Sequence, residues 1–88
     1  MRIKWFITAF GKQTDDLEFE IPIQEVPVIP LRELLGLQAD NPLYDCYPIT
    51  PAIEALLRAV NPVPPLDYDE FDYFLECAAF DAEHNQGN

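Results

Sequence analysis

The sequence predicts an α+β domain: a three-stranded, mostly antiparallel sheet of order 2-1-3 with two short helices on one face, in the chain order β-β-α-α-β. Three observations predict it. Two stretches rich in aromatic and branched residues, 2–11 and 17–24, flank a short polar turn, which is a hairpin pattern. A third such stretch, 71–80, alternates with period two, and between them residues 51–60 repeat apolar side chains with helical spacing. Runs of strands and helices in this order favour α+β architecture. The chain has 88 residues, enough for one domain, read as 1–82 followed by a polar tail at 83–88. A domain of this size buries only roughly 60–65% of the surface its unfolded chain exposes, so most of its faces meet solvent or a partner.

The first strand, "RIKWFITAFG", ends at Gly11, and "KQTDD" is the turn. In "LEFEIPIQ" Leu17, Phe19, Ile21 and Ile23 alternate with Glu18, Glu20 and Gln24, the signature of a half-buried strand. Pro22 cannot donate to a ladder, which makes this an edge strand. "EVPVIP" reads as an extended connector, and "PLRELLGL" as a short helix with Pro30 in its first position and Gly36 at its end. Leu31, Leu34 and Leu35 share its apolar face. "QADNPLYDCYPI" is a loop punctuated by two X-Pro pairs. The second helix, "TPAIEALLRAVNP", has Thr50 as its cap, Pro51 in the first turn and Glu54 near the positive end. Ile53, Leu56, Leu57 and Val60 form its apolar stripe, and Asn61-Pro62 stops it. "VPPL" is a stiff linker into the last strand, which pairs with the first.

Sixteen acids against five bases give a formal net charge of −11 and a pI of about 4.1. Nucleic acids and anionic membranes bind proteins through positive charge, so the balance argues against both. A basic protein partner would instead be steered toward this chain; the competing reading is that acidity only maintains solubility. Two cysteines, Cys46 and Cys77, are too few for a disulfide scaffold. The apolar run Trp5 to Phe10 is too short for a signal segment, and nothing approaches the ~20 apolar residues of a membrane span. These features predict a cytoplasmic protein.

The last strand carries the functional expectation. "LDYDEFDYFLECAAFD", residues 66–81, contains six acids, five aromatics and no base. By parity Phe71, Tyr73, Leu75, Cys77 and Ala79 face the helices, while Asp72, Phe74, Glu76, Ala78 and Phe80 face away. On the first strand Trp5, Ile7 and Ala9 go inward and Lys4, Phe6, Thr8 and Phe10 outward. The helix-free face therefore mixes Phe6, Phe10, Phe74 and Phe80 with Glu18, Glu20, Asp72 and Glu76. An apolar patch rimmed by carboxylates suits a basic protein, with rings supplying area and carboxylates accepting charge-assisted hydrogen bonds. The competing reading covers these rings with the tail, the connector or a second copy of the chain. Asp67, Asp69 and Glu70 extend the acidic run before the strand, and Asp45 with Tyr47 adds a carboxylate beside a tyrosine in the loop. The predicted partner-binding set is Asp45, Tyr47, Asp67, Asp69, Glu70, Asp72, Phe74 and Glu76.

Catalysis finds little support. The one histidine, His84, sits in the polar tail, so pairing it with Cys46 or Cys77 as a nucleophile would require an ordered tail. Two cysteines and one histidine make no zinc spacing, and "DYDEFD" lacks the glycine and closing glutamate of a calcium loop. There is no glycine-rich phosphate loop. The expectation is a non-enzyme without cofactor or metal.

"NPLYDCYPIT" at 41–50 and "FDYFLEC" at 71–77, with the opening "WFITAFGKQTDDLEFEI", resemble a family of small acidic bacterial proteins, and these resemble the immunity proteins of polymorphic toxin and contact-dependent growth inhibition systems. The resemblance implies a cytoplasmic protein that binds and neutralises a cognate toxin domain, often a basic nuclease. It assigns no residue. The alternative is a regulatory or assembly module that binds another protein, in one version as a homodimer. Either way the free chain is expected as a monomer or a weak dimer.

Overall fold

A computed structural model of the chain describes residues 2–80. Its elements are β1 (Arg2–Gly11), β2 (Leu17–Ile23), α1 (Val28–Leu35), β3 (Tyr47–Pro48), α2 (Pro51–Arg58) and β4 (Phe71–Phe80). The sheet is antiparallel throughout and its order is β2-β1-β4-β3. The fold is α+β as expected, but the sheet has four strands and not three. The added strand is two residues long and lies in the stretch expected to be a loop. Tyr47 pairs with Leu75 and Pro48 with Phe74, and the Ile49 amide donates to the Tyr73 carbonyl at 2.8 Å. Proline is tolerated there because β3 is an edge. Pro22 likewise sits in an edge strand, β2.

One face of the sheet and the two helices enclose the core. Ile7 and Ala9 of β1, Ile21 and Ile23 of β2, and Tyr73 and Leu75 of β4 meet Leu31 of α1 and Ile53 and Leu57 of α2. Their strand positions are those assigned inward by parity. Fully burying an aliphatic side chain contributes roughly 1.5–3 kcal/mol, so these contacts dominate a core this small. Leu43, in the loop, adopts φ 62° and is nevertheless buried. The loop is tied down around it: the Asn41 side-chain oxygen accepts from the Leu43 amide at 2.8 Å, and Arg32 Nε donates to the Asn41 carbonyl at 2.6 Å.

Both helices follow local chemistry with two corrections. α2 begins as predicted, the Thr50 hydroxyl accepting from the Ile53 amide at 3.3 Å with Pro51 behind it. α1 starts at Val28, so part of the expected connector is its first turn and Pro30 stands third. Proline is accommodated there because amides of a first turn have no intrahelical acceptor. Gly36 closes α1 with φ 70°, and the Leu37 amide reaches back to the Arg32 carbonyl at 2.8 Å. Leu34 and Val60, both assigned to buried faces, are instead exposed: α1 turns Leu34 away from the sheet, and Val60 lies beyond the end of α2.

Asn61 does more than end α2. It is 6% exposed. Its side-chain oxygen accepts from the Gln24 and Glu25 amides at 2.9 and 3.0 Å, and its amide nitrogen donates to the Glu25 and Leu57 carbonyls at 2.7 and 3.0 Å. One residue thereby stitches the exit of β2 to the end of α2.

Candidate docking surface

The turn before β4 is built by Asp67. Its side chain accepts from the amides of Asp69 at 3.0 Å and Glu70 at 3.3 Å, its carbonyl accepts from Phe71 at 3.0 Å, and its own amide donates to the Tyr73 hydroxyl at 2.9 Å. Aspartate commonly bonds the backbone two residues on in this way. Asp67 is thus engaged as a turn former, and it is exposed along with Asp69 and Glu70.

Antiparallel pairing of β1 with β4 sets Gly11 opposite Phe71, which brings the β1–β2 hairpin turn against the acidic turn. The Lys12 amide donates to the Glu70 carbonyl at 3.0 Å, and Lys12 Nζ lies 3.1 Å from the Asp72 carboxylate. Asp15, Asp16 and Glu18 of the hairpin and Asp67, Asp69, Glu70 and Asp72 of the second turn consequently occupy one end of the sheet.

A register shift between Ala9 and Phe10 changes which face the hairpin acids serve. Ala9 pairs with Phe19 but Phe10 pairs with Leu17, so Glu18 is the extra residue of a bulge. Its carboxylate lies on the helix-facing side, over Gly11: a Cβ on Gly11 would meet Glu18 Oε2 at 3.1 Å and Thr14 Oγ1 at 2.7 Å. Glu18 was expected on the opposite face, and the bulge is the reason for the difference. On this same side four rings touch in series: Phe19 meets Phe71 with centroids 5.2 Å apart, Phe71 meets Tyr73 at 5.9 Å, and Tyr73 meets Tyr68 at 5.6 Å. Phe19, at the margin, is 40% exposed.

On the helix-free face the cross-strand rows are Pro22, Phe6 and Glu76; then Glu20, Thr8 and Phe74; then Phe10 beside Asp72. Phe6, Phe10 and Phe74 are half-buried, with Phe10 edge-on to Phe74 at 5.8 Å. Thr8 lies in the middle, only 3% exposed, and donates to Glu76 Oε2 at 2.5 Å. Phe80, expected on this face, has a side chain outside the described residues, as are His84 and the rest of 81–88.

The predicted residues therefore fall into two groups. Asp67, Asp69, Glu70 and Asp72 lie at the hairpin end. Asp45 and Tyr47 lie along β3, where Tyr47 opposes Leu75, five residues or about 17 Å along β4 from Glu70. Phe74 lies between them, and Glu76, one residue past Leu75, belongs with the second group beside Cys46. Asp45 is exposed and Tyr47 half-buried, its ring against the core and its hydroxyl 3.5 Å from Asn41 Oδ1. Burial, and then the Asp45 charge, push the Tyr47 phenol up. Sequence reading left Asp15, Asp16, Glu18, Phe19 and Phe71 out of the set. The antiparallel return of β4 onto β1 was the signal that could have joined them to Glu70.

The nearest approach to a chemical centre is a carboxylate on α2. Glu54 accepts from the Tyr68 hydroxyl at 2.7 Å and pairs with Arg58 at 2.6 Å. Arg58 also donates to the Val63 and Pro64 carbonyls at 3.0 and 2.8 Å, which clasps the proline linker to α2. All three side chains are consumed by one another. Among the described residues no three His, Cys, Asp or Glu side chains are placed to hold a metal ion, and no helix is long and apolar enough to cross a membrane.

Residues 4–76 match the family described as Domain of unknown function (DUF7683), and the chain belongs to that family. No curated protein matches the chain.

Proposed function

We propose that this member of the DUF7683 family is an immunity protein, which binds a cognate basic toxin domain in the cytoplasm and neutralises it without chemistry of its own. The observation that carries the reading is the convergence of two acidic turns at one end of the sheet, beside rings that neither helix covers. A nuclease must present cations to the phosphates of its substrate. A carboxylate-rich surface competes for those cations, and the inhibitor needs no nucleophile, metal or cofactor to do so. Charge complementarity also speeds encounter, up to about 10⁸–10⁹ M⁻¹s⁻¹ at low salt, which suits an inhibitor that must act before damage accumulates.

The test is to seek a large secreted protein encoded beside this chain and to coexpress its C-terminal domain with it. Cells that make the domain should survive only when this chain is made with it. A variant with Asp69→Asn, Glu70→Gln and Asp72→Asn should bind the domain more weakly and melt nearly as the parent does. These side chains are exposed, and the pair that Asp72 makes with Lys12 contributes no more than about 1 kcal/mol. Undiminished binding by that variant would move the interface elsewhere.

One observation favours a second reading, an assembly module. Pro30, Glu33, Leu34, Ala52 and Leu56 line an open apolar depression of about 410 Å³ between the helices, and Ile29 beside it is 70% exposed. A tight homodimer at low concentration would support that reading, and a monomer would leave the acidic surface as the site of action.

A further inference from the structure

The sheet extends beyond its helices at the hairpin end, and the uncovered part of its inner side holds a depression of about 290 Å³. Glu18 and Glu70 stand in its wall with Phe71, over a floor at Gly11. A Cβ at position 11 would lie 2.7 Å from Thr14 Oγ1 and 3.1 Å from Glu18 Oε2, so glycine lets both side chains settle over the strand. Lys12 also contributes to the wall, but its ammonium is drawn to Asp72 on the other side of β4. Two carboxylates beside an aromatic ring, in a field of further acids, complement a planar cation. Guanidinium can bond a carboxylate through two parallel N–H groups while its face lies on a ring. Phe19, exposed at the margin and edge-on to Phe71, offers apolar area next to the opening.

We propose that this depression seats an arginine side chain of the protein partner, presented from a segment whose apolar residues cover Phe19. The aromatic contact expected from the sequence is on the opposite face, at Phe74; the inner end instead combines the exposed ring of Phe19 and the half-buried ring of Phe71 with Glu18 and Glu70. That the partner is a toxin domain rests on the function proposed above; the arginine seat itself does not.

The probe is a labelled peptide of alternating arginine and leucine, titrated into the intact protein at about 0.15 M ionic strength, where the Debye length is about 8 Å and distant charges are screened. The same peptide with citrulline in place of arginine is the neutral control. The expected result is saturable binding that weakens at least about tenfold with citrulline, a difference of about 1.4 kcal/mol. Glu18→Gln with Glu70→Gln should weaken it by a similar factor. Glu25→Gln with Glu33→Gln removes the same charge from exposed positions away from the hairpin end and should change it less than about twofold, since field effects beyond a Debye length are screened. Phe19→Ser should weaken binding at unchanged net charge, with a melting curve to verify the fold. The exposed glutamate variants keep the test decisive even if that one unfolds. Equal losses in the two charge-matched variants, equal binding of the citrulline peptide, or no binding by the parent would each overturn the proposal. Failure of toxin rescue with these results intact removes the inhibitor reading alone. Rescue without them shows that the partner docks elsewhere.

Discussion

Cys46 is exposed, yet its surroundings work against thiolate formation. Burial pushes its thiol up first, then the charge of Glu76 and a hydrogen bond to that carboxylate add to the effect. Cys77 is raised as well, by burial and then by Asp45 and Glu76, and its thiol lies against the carbonyls of Leu43 and Tyr44. The thiolate is the nucleophilic form, so neither cysteine is prepared for covalent chemistry. Iodoacetamide should alkylate Cys46 slowly at neutral pH, and Glu76→Gln should speed the reaction several-fold; rapid alkylation of the parent would contradict the arrangement. A different balance governs Glu54. Burial alone would raise its carboxyl, but the hydrogen bonds from Tyr68 and Arg58 and the Arg58 charge outweigh it and hold it below its ordinary value. A depressed carboxyl stabilises the fold above the unfolded-state pKa, and the contribution is lost as pH falls through the folded value. Tyr68 is the reverse. Burial, and then its bond to Glu54, raise the phenol, so its contribution is present at neutral pH and fades as pH climbs above the ordinary tyrosine range.

Strand alternation made β1, β4 and the face each residue serves legible, because a period of two leaves no freedom once one side must be buried. Capping chemistry fixed the start of α2 in the same way. The start of α1 was obscured by Pro27 and Pro30, which read as an extended segment although a first helical turn tolerates proline. β3 left no pattern, since two residues are too few for alternation; it exists because Leu43 and Ile49 bury themselves on either side and draw the chain along β4. The bulge at Glu18 was equally hidden. It is set by how the hairpin turn closes, with the Gly11 amide bonding the Asp16 carbonyl at 3.0 Å and Asp15 at φ 60°. Asn61 read only as a stop signal, whereas its four bonds depend on β2 arriving beside it. Asn61→Ala should therefore destabilise the domain by about 1–3 kcal/mol, because it removes the partners of the Gln24 and Glu25 amides and of the Glu25 and Leu57 carbonyls at once. Chemical denaturation would measure this, and a loss below about 0.5 kcal/mol would show that the junction holds without it.

At the scale of the whole molecule, charge and topology act together. A sequence with net charge −11 could have scattered its carboxylates evenly. The order β2-β1-β4-β3 instead places the two acidic turns on the same end of the central strand pair. The helices shield the middle of the inner face but stop short of Phe19, and they leave Phe6, Phe10 and Phe74 on the other face half-buried. The result is a small scaffold whose negative field and accessible rings coincide at one end, the combination on which the proposed docking of a basic protein rests. The most direct measurement of that proposal is the association rate with the toxin domain that coexpression identifies as the partner, as ionic strength rises. Electrostatic steering predicts a rate that falls steeply with salt, and a shallower dependence once Asp69, Glu70 and Asp72 are neutralised. A rate indifferent to salt, or one whose salt dependence survives that neutralisation unchanged, would contradict it.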